Sequence, residues 1–258
     1  MRRSRIPILR IVELHEDFPG IVAAQIARKI NSVVEQKGAA VLALGAEDVV
    51  SPVRLRLAES HVHDVPWQHV FVYQVCERMW SSEHGGCLYD RLWAELLSPV
   101  GVPSANVHRI RGDASDAGSE VRRYEEQLLG RVSGEADENL FDLVLLGVES
   151  DGGVAGLRPD AEAVLTSHRY VASCQLSPSG NRGFSLTPTA LNRSDSIWLI
   201  ATGSQVAVAV LDTLEGDIEP AKHPLQALRP VGGELVWFLD TAAAQRLGVL
   251  AKDARALI

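Results

Sequence analysis

The chain has 258 residues, 46% hydrophobic and 22% charged, with a formal net charge of −8. That is ample apolar material for a packed core and excludes disorder as its main state. The acidic balance, with no basic run beyond Arg2, Arg3 and Arg5, argues against nucleic-acid binding, and no stretch approaches the roughly 20 apolar residues of a membrane helix.

In chain order, residues 6–14 read as a first strand. Residues 17–36 follow as a helix, with Asp17 as N-cap, Pro19 in the first turn and Gly38 as the stop. Val22, Ile26, Ile30 and Val33 recur at helical spacing and share one face. Residues 39–44 and 69–75 are short apolar runs expected as buried strands. Residues 88–97 and 121–129 are expected as helices, and 112–118, 81–86, 132–139 and 176–183 as loops or connectors. Phe141 to Val148 is the clearest buried strand. Residues 196–202 and 235–239 are two more, each leading into an Ala- or Val-rich helical stretch. Strands this continuously apolar belong in a sheet covered on both faces. Strand–helix alternation predicts a mostly parallel, doubly wound sheet in a three-layer αβα, Rossmann-like α/β fold, with residues 1–258 forming one domain.

In such sheets ligands bind beyond the carboxyl ends of the strands. The segments to inspect are therefore residues 45–52, 76–78, 147–159 and 203–205. Cys76, Cys87 and Cys174 are too scattered for a disulfide framework or a zinc ribbon. A reducing cytoplasm is the expected setting. No secretory signal is expected, because the apolar stretch after Arg5 soon meets Glu13, Glu16 and Asp17. His61 and His63 would share a face on a strand, but no third ligand accompanies them, so no metal is expected.

Five segments, in order, carry a resemblance. Residues 105–110 (ANVHRI) are similar to an ENVHRI stretch. Phe141 to Gly147 with Asp151-Gly152 is similar to FDLVLLGMGPDGHTASLFP. Leu186-Thr187 and Ala190-Leu191-Asn192 are similar to LTLPALN. Trp198 to Gly203 is similar to a WLLVTG strand, and Arg229 to Asp240 closely matches a C-terminal signature. Together they resemble the 6-phosphogluconolactonase family. The resemblance implies a fold shared with glucosamine-6-phosphate deaminase and hydrolysis of 6-phosphoglucono-δ-lactone in the pentose phosphate pathway. It implies no metal or organic cofactor.

Several family positions hold other residues. The family's Gly-Gly-Ser-Thr-Pro phosphate turn reads Gly45-Ala46-Glu47-Asp48-Val49-Val50-Ser51-Pro52. Gly45, Ser51 and Pro52 keep their type, but two acids have entered. A carboxylate about 5 Å from a phosphate is repelled by roughly 3 kcal/mol at an effective dielectric constant of about 20. The family's Asp-Gly-His reads Asp151-Gly152-Gly153, so the imidazole that would act as general base is missing at Gly153. Asp151 also suits a turn before glycine. Of the family's Asp-Glu-Arg, Glu77 and Arg78 remain, and Arg78 is a candidate phosphate ligand. Arg182 lies near another family arginine. The lysine expected after Thr202-Gly203 is replaced by Ser204, Gln205 and Val206. His84 and His168 are the candidate histidines to stand in for the base, and Cys76 reads as a buried thiol before it reads as a nucleophile. Two readings follow: a 6-phosphogluconolactonase-like enzyme of weak or no activity, or an inactive relative that binds a sugar-phosphate-like anion, another ligand or a protein partner.

Overall fold

The computed structural model of the protein describes residues 7–13, 16–80, 87–131, 138–166, 168–176 and 180–248. In chain order it has β1 (Ile8–Val12), α1 (Phe18–Lys37), β2 (Ala40–Leu44), α2 (Ser51–Ser60), β3 (Val70–Gln74), β4 (Cys76–Arg78), α3 (Leu88–Leu92), β5 (Val107–His108) and α4 (Ala117–Leu129). There follow β6 (Leu143–Gly147), α5 (Glu162–Leu165), β7 (Val171–Gln175), β8 (Arg182–Leu186), α6 (Pro188–Leu191), β9 (Ser196–Ala201), α7 (Ala207–Leu214) and β10 (Glu234–Asp240). α1 starts where the Asp17 carboxylate accepts the Gly20 N–H at 3.2 Å. It ends at Gly38, whose φ of 82° only glycine adopts without strain.

Seven strands form one parallel sheet in the order β1-β10-β9-β6-β2-β3-β5. Side chains alternate across it. Leu42, Leu44, Trp198 and Ile200 pack toward α1 and α2, while Ala43, Leu199 and Ala201 pack toward α4, α6 and α7. The result is the expected three-layer α/β architecture. Among the described residues no helix is long and apolar enough to cross a membrane.

The structure departs from the sequence expectations in five places, one of them the expected loop 112–118, whose Ala117 and Gly118 open α4 after the Asp116 cap. A second sheet, antiparallel in the order β4-β8-β7, shares a hydrophobic core with the first through Val171, Phe184 and Leu186, and the expected loop at 176–183 contributes Arg182 and Gly183 to β8. These strands are short and mixed in polarity, so they carry no periodic signal. The expected helix 88–97 is α-helical only to Leu92 and continues as a π-helical turn, Trp93–Leu97. Residues 241–246 after β10 are turns, not a helix. His61 to Asp64 is a turn after α2, in which His61 Nδ1 lies 3.1 Å from Asp64 Oδ2. The expected loop 81–86 and most of the connector 132–139 lie outside the described residues.

Candidate functional site

From β2 the chain moves to β3 and β5 on one side of the sheet, and from β6 it moves to β9 and β10 on the other. The connections therefore diverge at the carboxyl ends of β2 and β6, which leaves a crevice between them. A cleft of about 720 Å³ opens there. All four strand-end segments singled out from topology line it: Glu47, Asp48 and Pro52 after β2, Cys76 and Arg78 on β4, Glu149 and Arg158 after β6, and Thr202 and Gln205 after β9.

The floor of the cleft is Glu47. It is 9% exposed, and its Oε1 accepts the Ala155 N–H at 3.2 Å. Its Oε2 is buried and makes no hydrogen bond among the described residues. The carboxyl folds over Gly45: a Cβ there would lie 2.0 Å from Oε2. Beneath it Arg54, 1% exposed, donates Nη1 to the Gly45 carbonyl at 3.0 Å and Nη2 to the Glu47 carbonyl at 3.3 Å. Its Nε binds Glu95 Oε2 at 2.7 Å. The guanidinium thus braces the turn after β2 without hydrogen-bonding the Glu47 carboxyl. Burial, with the Glu149 carboxylate nearby, pushes Glu47 from an ordinary 4.5 up to about 7, against the opposing pull of backbone hydrogen bonds and Arg54.

This shift has a consequence for stability. Between pH 4.5 and 7 the folded protein keeps a proton on Glu47 that the unfolded chain has released. Rising pH in that window therefore removes stability, by roughly 3 kcal/mol from this group. Glu47→Gln abolishes the effect. Urea denaturation at pH 5 and pH 8 is expected to show the variant gaining on the wild type by about that amount. An unchanged difference would show that Glu47 titrates normally.

Three arginines ring the cleft. Arg91 is ion-paired with Asp48, whose side chain is 88% exposed, and Arg158 is ion-paired with Asp151. Arg78 is exposed and in no ion pair among the described residues. Glu149 is pushed up by burial and by the Asp151 carboxylate, and pulled down by Arg158 and Arg78. Arg91 lies in none of the segments singled out from the sequence, and Glu149 and Arg158, though within residues 147–159, have no role assigned there. A signal existed for Arg158: it stands where the resembling stretch DGHTASLFP has phenylalanine before proline.

The residues expected to form the site are distributed as follows. Asp151 turns back to accept the Gly153 N–H at 2.9 Å, as well as pairing with Arg158. Gly153 is buried and offers no side chain; a Cβ there would sit 2.9 Å from Asp151 Oδ1. Gly45 lies under Glu47. The Ser51 hydroxyl donates to Glu95 at 2.7 Å and is absent from the cleft lining, because α2 begins at Ser51 and turns it toward the π-helical segment. Arg182 lies on β8, where Nη2 is 3.4 Å from the Ser173 hydroxyl, and it too is absent from the lining. His168 lines a different hollow, beside Arg122 and Glu162. His84 lies outside the described residues. Glu77 is fully buried and holds the start of α3. Burial, with carboxylates around it, raises the Cys76 thiol, so it stays protonated at neutral pH. Among the described residues no three His, Cys, Asp or Glu side chains gather as metal ligands.

Comparison with known proteins agrees with the fold. A 6-phosphogluconolactonase of Synechocystis sp. is 26% identical over 223 residues, which is 86% of this chain and 90% of that protein. A 6-phosphogluconolactonase of Mycobacterium bovis is 29% identical over 248 residues, 92% of this chain and 98% of that one. The crystal structure of 6-phosphogluconolactonase from Leishmania guyanensis superposes with a TM-score of 0.80 at 22% identity, covering 95% of this chain and 100% of that one. The sequence profile described as glucosamine-6-phosphate isomerases/6-phosphogluconolactonase matches residues 15–237, and the chain belongs to that family.

Proposed function

We propose that the protein, acting as one domain in the cytoplasm, is a 6-phosphogluconolactonase-like hydrolase of slow turnover. Its ligand on this reading is a sugar-phosphate lactone such as 6-phosphoglucono-δ-lactone. The observation that carries the reading is Arg78, a guanidinium without an ion pair among the described residues, at a switch-point cleft whose nearby position 153 offers no imidazole. Arg78 supplies paired donors for a phosphate. Lack of a histidine base costs on the order of 10²–10⁴ in rate. The buried Glu47 carboxyl over Gly45 favours a second reading, an inactive relative that binds a different ligand or a protein partner.

Lactone hydrolysis, with spontaneous ring opening subtracted, is expected to show a kcat/KM below about 10⁴ M⁻¹s⁻¹, under the usual enzyme range. Calorimetry is expected to show saturable binding of 6-phosphogluconate, weakened at least tenfold in Arg78→Ala, in line with about 1.5–3 kcal/mol for a charge-assisted contact. Absence of heat with the wild type would favour the second reading.

A further inference from the structure

We infer that Glu47 is the proton-carrying residue of this cleft, taking a proton from the attacking water and returning it to the leaving oxygen of a lactone. The inference rests on the hydrolase reading above.

Four observations converge on it. Glu47 stands at the divergence of β2 and β6, the place where this topology receives a ligand. It is buried, yet Oε2 has no partner among the described residues, an unsatisfied polar atom that the fold tolerates at a cost. Its other oxygen is held by Ala155, two residues beyond Gly153, so the carboxyl touches the turn from which the family's imidazole would project. Finally, among the described residues no cation is hydrogen-bonded to the Glu47 carboxyl: Arg54 acts on it only through space and spends its hydrogen bonds on two backbone carbonyls and Glu95.

The groups facing Glu47 are Glu149 after β6, Cys76 on β4 and Arg54 beneath, with Arg78, Arg158 and Asp151 acting on Glu149. Burial and Glu149 lift Glu47 to about 7, where a carboxyl exchanges protons readily at neutral pH. In the forward step the Glu47 carboxylate accepts a proton as the water oxygen bonds to the lactone carbonyl carbon, and the C=O pair moves onto oxygen. As that pair returns, the bond from the carbonyl carbon to the ring oxygen breaks. The ring oxygen leaves with the proton from Glu47, giving the open-chain acid and the starting carboxylate.

The test is background-corrected hydrolysis of 6-phosphoglucono-δ-lactone by the full chain from pH 5.5 to 8.5. The wild-type kcat/KM is expected to rise with pH through an inflection near 7. Glu47→Gln is expected to lose roughly 10²-fold or fall to background, without the inflection, while binding 6-phosphogluconate at least as tightly as the wild type. Glu47→Asp, which keeps the acid but draws it back, is expected to retain the inflection at reduced rate; it decides the matter if the glutamine variant does not fold. A glutamine variant with a third or more of the wild-type rate and the same inflection overturns the inference and leaves the hydrolase reading intact. Equal loss of rate and of ligand affinity also overturns it, since that marks a structural role. A wild type with no rate above spontaneous opening overturns both.

Discussion

Glu77→Ala is expected to destabilise the protein by about 3–5 kcal/mol, the range for uncovering buried groups that relied on a charge. Among the described residues the Glu77 carboxylate accepts five hydrogen bonds, from Gln74 Nε2 at 2.8 Å, Arg78 N at 2.7 Å, Cys87 Sγ at 3.1 Å, Leu88 N at 2.9 Å and Tyr89 N at 2.9 Å. α3 has no side-chain cap of its own, so Glu77 on β4 satisfies two amides of its first turn from outside. Alanine leaves these donors in a site that water cannot readily enter. Glu77→Gln should fall between wild type and alanine, because its amide nitrogen would point at donors. Urea denaturation measures the loss; a change below about 1 kcal/mol would show that the network rearranges at little cost.

Arg54→Ala is expected to cost a similar 3–5 kcal/mol, because it breaks a buried ion pair and abandons two backbone carbonyls. Arg54 binds Glu95 with Nη2 at 2.6 Å and braces both Gly45 and Glu47 from below. Arg54→Met, which keeps the stem and loses the charge, should cost less in stability. It should still weaken 6-phosphogluconate binding at least tenfold, about 1.4 kcal/mol, since the turn after β2 loses its brace. Because Arg54 draws Glu47 down, either variant should move the Glu47 titration upward. Equal stability and equal affinity in the methionine variant would show that the turn holds its shape unaided.

The fold was legible where burial writes itself into residue order. Continuous runs such as 143–147 mark strands covered on both faces, and the four-residue recurrence from Val22 marks the buried stripe of α1. Strand–helix alternation then placed the cleft at the carboxyl ends of the strands. The antiparallel β4-β8-β7 sheet was not legible: its strands are short, and pairing partners as distant as Cys76 and Ser185 leave no local pattern.

By itself, then, the sequence determined the parallel sheet, the segments that line its cleft and a glycine without a side chain at position 153, because each depends on residue type or on local periodicity. Only the tertiary structure decided what the charged residues do. Glu47 and Asp48 are adjacent, yet one is buried over Gly45 and the other is exposed on Arg91. Ser51 is turned away to Glu95, and Arg158 reaches Asp151 at the cleft edge. Side-chain direction, burial and the company of charges that set a carboxyl's proton affinity arise from contacts between distant segments, and no spacing along the chain encodes them.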